Sequence, residues 1–387
     1  MLTKNINFKN FKKKKINQKV LKILSTLLKN QNEVINSFGK SYKNSFTKLQ
    51  IFKLKKYSNI VIIGMGGSIL GAKAIYGFLK NKIKKNFFFK DNLLIEEKKL
   101  SFNKNFLNLI ISKSGNTLET IVNTNYLIKN NQRNIFLTEN KKNYLTNLAN
   151  KLKSEIIHHN NYIGGRFSVL SEVGMFPAEL MGLDHRKFRQ FNELIKNKKF
   201  LNSLIINVSN IISLNKLKKF NSIILNYDEK SEDLFKWYQQ LVGESLGKKG
   251  KGILPIISSM PKDNHSLMQY YLDGNKNNFY TFFFVDDKKT KKFNKNMILK
   301  SHSYLKDKTQ NDILFSQFLA TEKVLNKKNI PYRCFYVKKR DEKTLGELFI
   351  FFMLETILLG KALNVNPYNQ PSVELIKKET KKILIKS

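Results

Sequence analysis

Short apolar runs alternate with longer amphipathic stretches through both halves of the chain. In the first half, these runs predict four buried strands, at residues 59–63, 107–111, 134–137 and 155–158. Amphipathic patterns at 117–128 and 142–152 predict helices between those strands. Because strands that alternate with helices form parallel sheets covered on both faces, this half is predicted to be an α/β domain.

The second half repeats the pattern. Strands are predicted at 222–226, 253–257, 280–285 and 332–337. Helices are predicted between and after them, at 231–246, 312–327 and 344–363. A last helix is predicted at 371–386, with Pro371 in its first turn, where the missing N–H costs little.

The lysine-rich stretch at 196–219 is the expected boundary between the two α/β domains. A chain of 387 residues is long for one domain and fits two domains that share an interface. We therefore predict four segments: N-terminal helices at 1–50, α/β domains at 51–195 and 196–343, and C-terminal helices at 344–387.

The formal net charge is +41, from 70 Lys and Arg residues against 29 Asp and Glu. Such a charge is typical of nucleic-acid-binding proteins, but only six of the basic residues are arginine, which base and phosphate recognition favours. The lysines accompany many Asn, Ile and Phe residues, which A- and T-rich codons supply. Codon bias is the simpler explanation, and a polyanion-binding surface is the alternative. In either case the charge helps to collect small anionic substrates, and we predict no nucleic-acid partner.

The cysteine content and the hydropathy indicate a cytoplasmic protein. Cys334 is the single cysteine, which excludes an intrachain disulfide and points to a reducing compartment. No run reaches the roughly 18 apolar residues that a membrane helix needs. We expect neither a membrane partner nor an export signal.

Two glycine- and hydroxyl-rich segments follow predicted strands. The first, 64–71, includes Gly67 and Ser68, and its backbone N–H groups can approach an anion, although a tight turn without a ligand is equally compatible. The second, 112–117, brings hydroxyls, an ammonium group and a helix N-terminus together. That combination favours phosphate binding over a simple helix cap, and the groups concerned are Ser112, Lys113, Ser114 and Thr117.

An arginine and a glutamate are candidates for chemistry. Arg166 follows Gly165 in a glycine pair and can stabilise an oxyanion, although an ordinary surface arginine is the commoner case. Gln240 and Glu244 are four residues apart on one helical face, one turn from Trp237. A carboxylate against an aromatic surface has a raised pKa, as a general base requires, and a solvated glutamate is the alternative.

Three further polar residues are weaker candidates on their own. His265 lies near a predicted helix start, and a lone histidine is more often structural than catalytic. Gln370 and Lys377 are seven residues apart and share a face of the last helix, where lysine is usually solvated. The sequence contains neither a cysteine cluster nor carboxylates at ligand spacing, so we predict no metal and no cofactor.

Six motifs, taken together and in their order along the chain, indicate a family resemblance that no single motif indicates. GMGGS, SKSGNT, GGRFS, QQLVGES, the DNH segment and NQPSVELIKK span about residues 58–380, and together they resemble the glucose-6-phosphate isomerase family. The resemblance implies two flavodoxin-like sugar-isomerase domains with an active site between them, against which the C-terminal helices pack. It also implies a homodimer and the reversible isomerisation of glucose 6-phosphate and fructose 6-phosphate through a cis-enediol.

The resemblance also implies a role for each candidate. Glu244 matches the base that moves a proton between C2 and C1, and Arg166 matches the group that stabilises the enediolate. His265 matches a ring-opening histidine supplied by the neighbouring subunit, and Lys377 a lysine that assists ring opening. Ser112, Lys113, Ser114 and Thr117 match the phosphate loop, and the sugar site is lined by Gly67, Ser68, Gly165, Gln240 and Gln370.

Two alternatives stay open within the resemblance. An isomerase that also accepts mannose 6-phosphate differs in the sugar pocket, and a non-catalytic phosphosugar-binding protein would lack the base, yet Glu244 is present. Asn116 stands where eukaryotic members carry threonine, so phosphate affinity is expected to differ from theirs.

Overall fold

The computed structural model describes residues 2–12, 16–93, 106–129, 131–287 and 290–386. The strands of this part of the chain are β1 Ile6–Lys9, β2 Asn59–Gly64, β3 Asn86–Lys90, β4 Phe106–Ile111, β5 Arg133–Glu139, β6 Glu155–His159, β7 Asn221–Asn226, β8 Leu254–Ser259, β9 Asn278–Val285 and β10 Tyr332–Val337. The helices are α1 Gln18–Lys29, α2 Glu33–Asn36, α3 Lys48–Leu54, α4 Leu70–Leu79, α5 Leu118–Leu127, α6 Tyr144–Lys151, α7 Glu172–Leu180, α8 Phe191–Lys196, α9 Lys198–Lys216, α10 Glu232–Leu246, α11 Met268–Asp273, α12 Gln310–Lys327, α13 Glu342–Ala362 and α14 Pro371–Lys386.

The first sheet has the order β3-β2-β4-β5-β6, and all its pairs are parallel. β2 and β4 are apolar runs that are buried on both faces, as expected of inner strands of a covered parallel sheet. All four strands predicted in the first half of the chain are confirmed, as β2, β4, β5 and β6. β3, which was not predicted, extends the sheet beyond β2 at one edge.

The second sheet has the order β1-β10-β9-β7-β8. Its pairs are parallel except for β1, which runs antiparallel to β10 with Phe8 opposite Phe335. The N-terminal segment, predicted to be helical, thus also contributes an edge strand to the second sheet. The predicted fold class of two mostly parallel sheets covered by helices is confirmed.

Helix α13 lies deep in the protein, because every residue from Thr344 to Gly360 is buried. A single hydrophobic cluster contains this helix together with side chains of both sheets, including Ile60, Ile62, Phe283 and Phe335. Burial on all sides explains why the sequence of α13 is apolar around its whole circumference. The 196–219 stretch forms mainly helix α9, and the division into four segments stays a prediction.

A buried polar network fixes helix α10 against α13. Glu355 of α13 pairs with Arg333 of β10, and both side chains are fully buried. The hydroxyl of Tyr238, on α10, donates a hydrogen bond of 2.7 Å to Glu355 Oε1. Because α10 also carries Gln240 and Glu244, this contact contributes to the placement of those side chains.

Helix α14 is exposed along its length, with no buried residue. Its apolar side chains face solvent, among them Leu375, Ile376 and Ile385, which are 65%, 71% and 73% exposed. Among the described helices, none is both long and apolar enough to cross a membrane.

Candidate active site

The glycine turn after β2 packs directly on the loop that carries Arg166. A Cβ on Gly67 would lie 2.2 Å from the carbonyl carbon of Gly165, so a larger residue at position 67 would push the two loops apart. Ser168 reinforces this arrangement, because its hydroxyl donates to the Gly165 carbonyl across 2.6 Å. Ser68 is half-buried at the end of the same turn. The structure therefore brings three predicted site residues close together: Gly67, Ser68 and Gly165.

Arg166 is 3% exposed and uses all three of its guanidinium nitrogens. Nη1 donates to Glu244 Oε2 at 3.2 Å and to Gln370 Oε1 at 2.8 Å. Burial lowers the pKa of Arg166 from its ordinary value, and the Glu244 carboxylate opposes that shift. The other acceptors are Ser245 Oγ at 2.8 Å, the Pro367 carbonyl at 2.7 Å and the Asn369 carbonyl at 3.0 Å. Arg166 thus joins α10 to the segment before α14.

Glu244 is held from two sides near the end of α10. Gln240 Nε2 donates to its Oε1 at 3.0 Å, one helical turn away, and Arg166 donates to its Oε2. Its side chain is still 31% exposed, so a small molecule can reach the carboxylate. Trp237 is buried on the same helix, and its ring centroid lies 4.8 Å from that of Phe349.

Gln240 links Glu244 to the glycine turn. Its amide nitrogen lies 2.7 Å from the position of a Cβ on Gly66, which has φ +52°. Its Oε1 is buried and has no hydrogen-bond partner in the described part of the chain. Because buried polar atoms are nearly always paired, this oxygen is suited to accept a hydrogen bond from a bound hydroxyl.

The 112–117 segment forms a compact turn between β4 and α5. The hydroxyls of Ser112 and Thr117 lie 2.9 Å apart, and Thr117 occupies the N-cap of α5 without a capping hydrogen bond from its side chain. Gly115 has φ +65°, and a Cβ there would lie 1.9 Å from Asn143 Oδ1. The Ser114 hydroxyl accepts the backbone N–H of Asn116 at 3.3 Å. Two adjacent hydroxyls at a helix N-terminus suit a phosphate.

Lys113 projects from the same turn and is half-buried. Burial lowers the pKa of its ammonium group, with Glu139 opposing the shift and Lys141 adding to it. Its carbonyl accepts the Thr138 hydroxyl at 3.1 Å, which fixes the backbone of the turn against β5.

Two predicted site residues lie apart from this group. His265 is exposed at the end of a 3-10 turn, 262–265, that follows β8. Lys377 is exposed on α14, and its ammonium pairs with Glu374 at 2.8 Å. In the described residues, neither side chain bonds to Glu244 or Arg166, and the packing of the C-terminal helices on the active site stays a prediction.

Sequence reasoning missed four groups at this site. Ser245 and the carbonyls of Pro367 and Asn369 bind Arg166, and Lys248 lies close enough to respond to the charges of Arg166 and Glu244. The position of Ser245 beside Glu244 was a usable signal. The carbonyls of Pro367 and Asn369 gave no such signal in the sequence, because every residue has a backbone carbonyl.

A cluster of possible metal ligands lies elsewhere, formed by Glu179, Asp184 and His185. His185 Nδ1 bonds to Glu179 Oε1 at 2.6 Å, and Arg186 pairs with Asp184 at 3.0 Å. Because these atoms already have protein partners, the cluster is explained without an ion.

Comparisons with known proteins identify the family of this chain. The family model for phosphoglucose isomerase matches residues 29–387. A glucose-6-phosphate isomerase from Methanocaldococcus jannaschii is 36% identical over 346 residues, which are 84% of this chain and 84% of the relative.

Two solved structures share the fold. A hypothetical protein from Thermus thermophilus has a TM-score of 0.82 at 23% identity, over 95% of this chain and 94% of its own. A glucose-6-phosphate isomerase from Chlamydia trachomatis has a TM-score of 0.69 at 20% identity, over 87% of this chain and 71% of its own. On the family match and the identity to the Methanocaldococcus jannaschii enzyme, this chain belongs to the phosphoglucose isomerase family.

Proposed function

We propose that the protein interconverts glucose 6-phosphate and fructose 6-phosphate through a cis-enediol. The observation that carries this proposal is the Glu244 carboxylate, held at 3.2 Å from the buried guanidinium of Arg166 and still open to solvent. Moving a proton between two carbons requires a positioned base, and the enediolate that forms needs a cation nearby. Glu244 is the base and Arg166 the cation in this scheme.

The substrate is held at its phosphate by the 112–117 turn. Ser112, Ser114 and Thr117 supply hydroxyl donors, Lys113 supplies a positive charge, and the N-terminus of α5 adds its dipole. Gly67, Ser68, Gly165, Gln240 and Gln370 line the sugar. Among these groups, Gln240 Oε1 is the best suited to accept a hydrogen bond from a sugar hydroxyl, since it is buried and unpaired in the described chain.

Ring opening requires a group that donates a proton to the ring oxygen and a group that accepts the proton of the anomeric hydroxyl. We assign this step to His265 of a second subunit, assisted by Lys377. Because α14 starts directly after Gln370, which Arg166 binds, Lys377 lies about 10 Å further along the same helix. Neither assignment requires a metal or a cofactor.

A homodimer is proposed on the basis of exposed apolar surface. Beside the exposed His265, Leu267 and Tyr270 are 40% and 52% exposed, and α14 exposes several more large apolar side chains. Surfaces of this kind mark protein interfaces. We further place the enzyme in the cytoplasm, consistent with its single cysteine.

A coupled assay tests the proposed reaction. Purified protein is given fructose 6-phosphate with a chelator, and the appearance of glucose 6-phosphate is followed through NADP reduction by glucose-6-phosphate dehydrogenase. We expect turnover that the chelator leaves unchanged. A parallel assay with mannose 6-phosphate measures whether the pocket accepts the epimer. Absence of turnover by a folded protein that binds hexose 6-phosphates would instead support the non-catalytic alternative.

A further inference from the structure

Lys248 ties the end of α10 to the segment that leads into α14. Its Nζ donates to the carbonyl of Ser245 at 2.9 Å and to the carbonyl of Asn366 at 2.6 Å. Ser245 is the neighbour of Glu244 in the sequence. One ammonium group therefore bridges the carboxylate-bearing turn of α10 and residues 366–370.

Residues 366–370 are held by two cations. Lys248 binds the carbonyl of Asn366, whereas Arg166 binds the carbonyls of Pro367 and Asn369 and the side chain of Gln370. Pro367 is buried and the Tyr368 ring packs against Phe167, whereas Asn366 and Asn369 are exposed. The two cations add to this packing by fixing the carbonyls of Asn366, Pro367 and Asn369.

We propose that Lys248 is a positioning residue for the isomerisation, which fixes residues 366–370 so that Gln370 and the start of α14 face Arg166 and Glu244. This inference rests on the proposed function. Lys248 acts through the segment and through the Ser245 carbonyl, and it has no assigned contact with the reacting carbons. Its loss is expected to impair turnover more than substrate binding, because the phosphate is held at the 112–117 turn.

The charge of Lys248 adds a pH dependence to this geometry. Burial and the neighbouring Arg166 lower the pKa of Lys248 to about 8, against the opposing effect of Glu244. Ionised hydrogen bonds are roughly twice as strong as neutral ones. Above about pH 8 the ammonium loses its proton, so its hold on the Asn366 carbonyl weakens and turnover should fall.

Lys251 provides a matched control. Lys248 and Lys251 face each other across a tight turn, and Lys251 Nζ donates to the carbonyl of Leu363 at 3.1 Å. That carbonyl belongs to the end of α13 and precedes the 366–370 segment. Lys251→Met thus removes the same charge and the same type of contact without releasing the residues that bind Arg166.

The experiment measures kcat and KM for fructose 6-phosphate from about pH 6 to about pH 9.5 in the wild type, Lys248→Met, Lys248→Arg and Lys251→Met. We expect Lys248→Met to lower kcat at neutral pH by about tenfold or more, with a smaller change in KM, because misplacement of catalytic groups affects the chemical step. Lys248→Arg should retain most of the neutral activity and move the alkaline decline to higher pH. Lys251→Met should follow the wild type.

Each outcome decides a specific point. The inference would be overturned if Lys248→Met kept the kcat of the wild type and its decline at alkaline pH. It would also be overturned if Lys251→Met lost as much kcat as Lys248→Met. If circular dichroism shows that Lys248→Met is unfolded, the Lys248→Arg profile decides, and an unshifted alkaline decline counts against the proposal. An inactive wild type would remove the proposed function and this inference together, whereas an active wild type with an unaffected Lys248→Met removes the inference alone.

Discussion

Arg166 and Glu244 are 78 residues apart in the sequence, and their side chains meet at 3.2 Å. The guanidinium is fixed by four further acceptors, so it defines one side of the carboxylate while Gln240 defines the other. A base with both oxygens fixed by donors has one orientation toward a substrate. The proposed proton transfer depends on that orientation.

Replacing the base should abolish most of the turnover. Glu244→Gln keeps the size of the side chain and removes its charge, so kcat should fall on the order of a thousandfold or more, with little change in KM. Steady-state kinetics in the coupled assay provide the measurement. Glu232→Gln, which alters an exposed carboxylate paired with Lys236 on the same helix, should behave as the wild type. Normal turnover in Glu244→Gln would show that another group is the base.

Removing the paired hydroxyls of the phosphate turn should weaken binding. Ser112→Ala combined with Thr117→Ala deletes two donors to an anion, and each hydrogen bond to a charged group contributes about 1.5–3 kcal/mol. KM for fructose 6-phosphate should rise at least about tenfold, and inhibition by inorganic phosphate should weaken in parallel. Asn125→Ala, on an exposed part of α5, is the control. An unchanged KM would eliminate this turn as the phosphate site.

Mixing two inactive variants tests whether His265 acts across a subunit interface. Glu244→Gln and His265→Gln should each be inactive as homodimers. A mixed dimer contains one site with an intact Glu244 from one chain and an intact His265 from the other. Re-assembly from equal amounts should therefore restore about a quarter of the wild-type activity, since half the dimers are mixed and each has one working site.

The same experiment can also show that His265 does not act across the subunit interface. If His265 acts within its own chain, every site in the mixed dimer lacks one group, and activity stays at the level of the single variants. Light scattering on the same samples measures the oligomeric state, and a monomer would contradict the proposed interface.

A buried carboxylate behind the Arg166 loop should make stability dependent on pH. Glu172 is 2% exposed, its Oε1 accepts the Tyr42 hydroxyl at 3.0 Å, and His159 Nδ1 lies 3.6 Å from its Oε2. Burial raises the pKa of Glu172, but His159 and the hydrogen bonds outweigh burial and hold the pKa below its ordinary value. A carboxyl group with a lowered pKa stabilises the fold above its unfolded pKa and loses that contribution as the pH falls through its folded pKa.

Glu172→Gln tests whether ionised Glu172 stabilises the fold. The free energy of unfolding should fall by about 1–3 kcal/mol at pH 7, and the difference from the wild type should shrink as the pH is lowered below about 4. Urea unfolding at several pH values gives both quantities. Glu232→Gln should change stability by less than about 1 kcal/mol. A constant difference at all pH values would contradict the assignment to the ionised form.

The inner strands were predictable because burial on both faces selects a mainly apolar run. β2 and β4 were found within one residue of their ends. β3 and β1 were missed for a physical reason. Each lies at the edge of its sheet, is short and ends in a lysine; β1 has only two apolar residues, and the apolar run of β3 is limited to Phe87–Phe89.

The site was predictable where residue type carries the chemistry. Glu244, Arg166 and Gln370 meet as the motifs implied, although their contact spans more than 200 residues of sequence and no local pattern encodes it. The setting of His265 and Lys377 was not predictable in the same way. Both are exposed in the single chain, and their proposed roles require contacts with a second subunit or a bound sugar.

The position of helix α13 limits how this enzyme can open. Its hydrophobic cluster takes in side chains from both sheets, so swinging the two halves apart on a hinge would disrupt a continuous apolar interior. Separating the two sheets would therefore expose apolar surface that they now share.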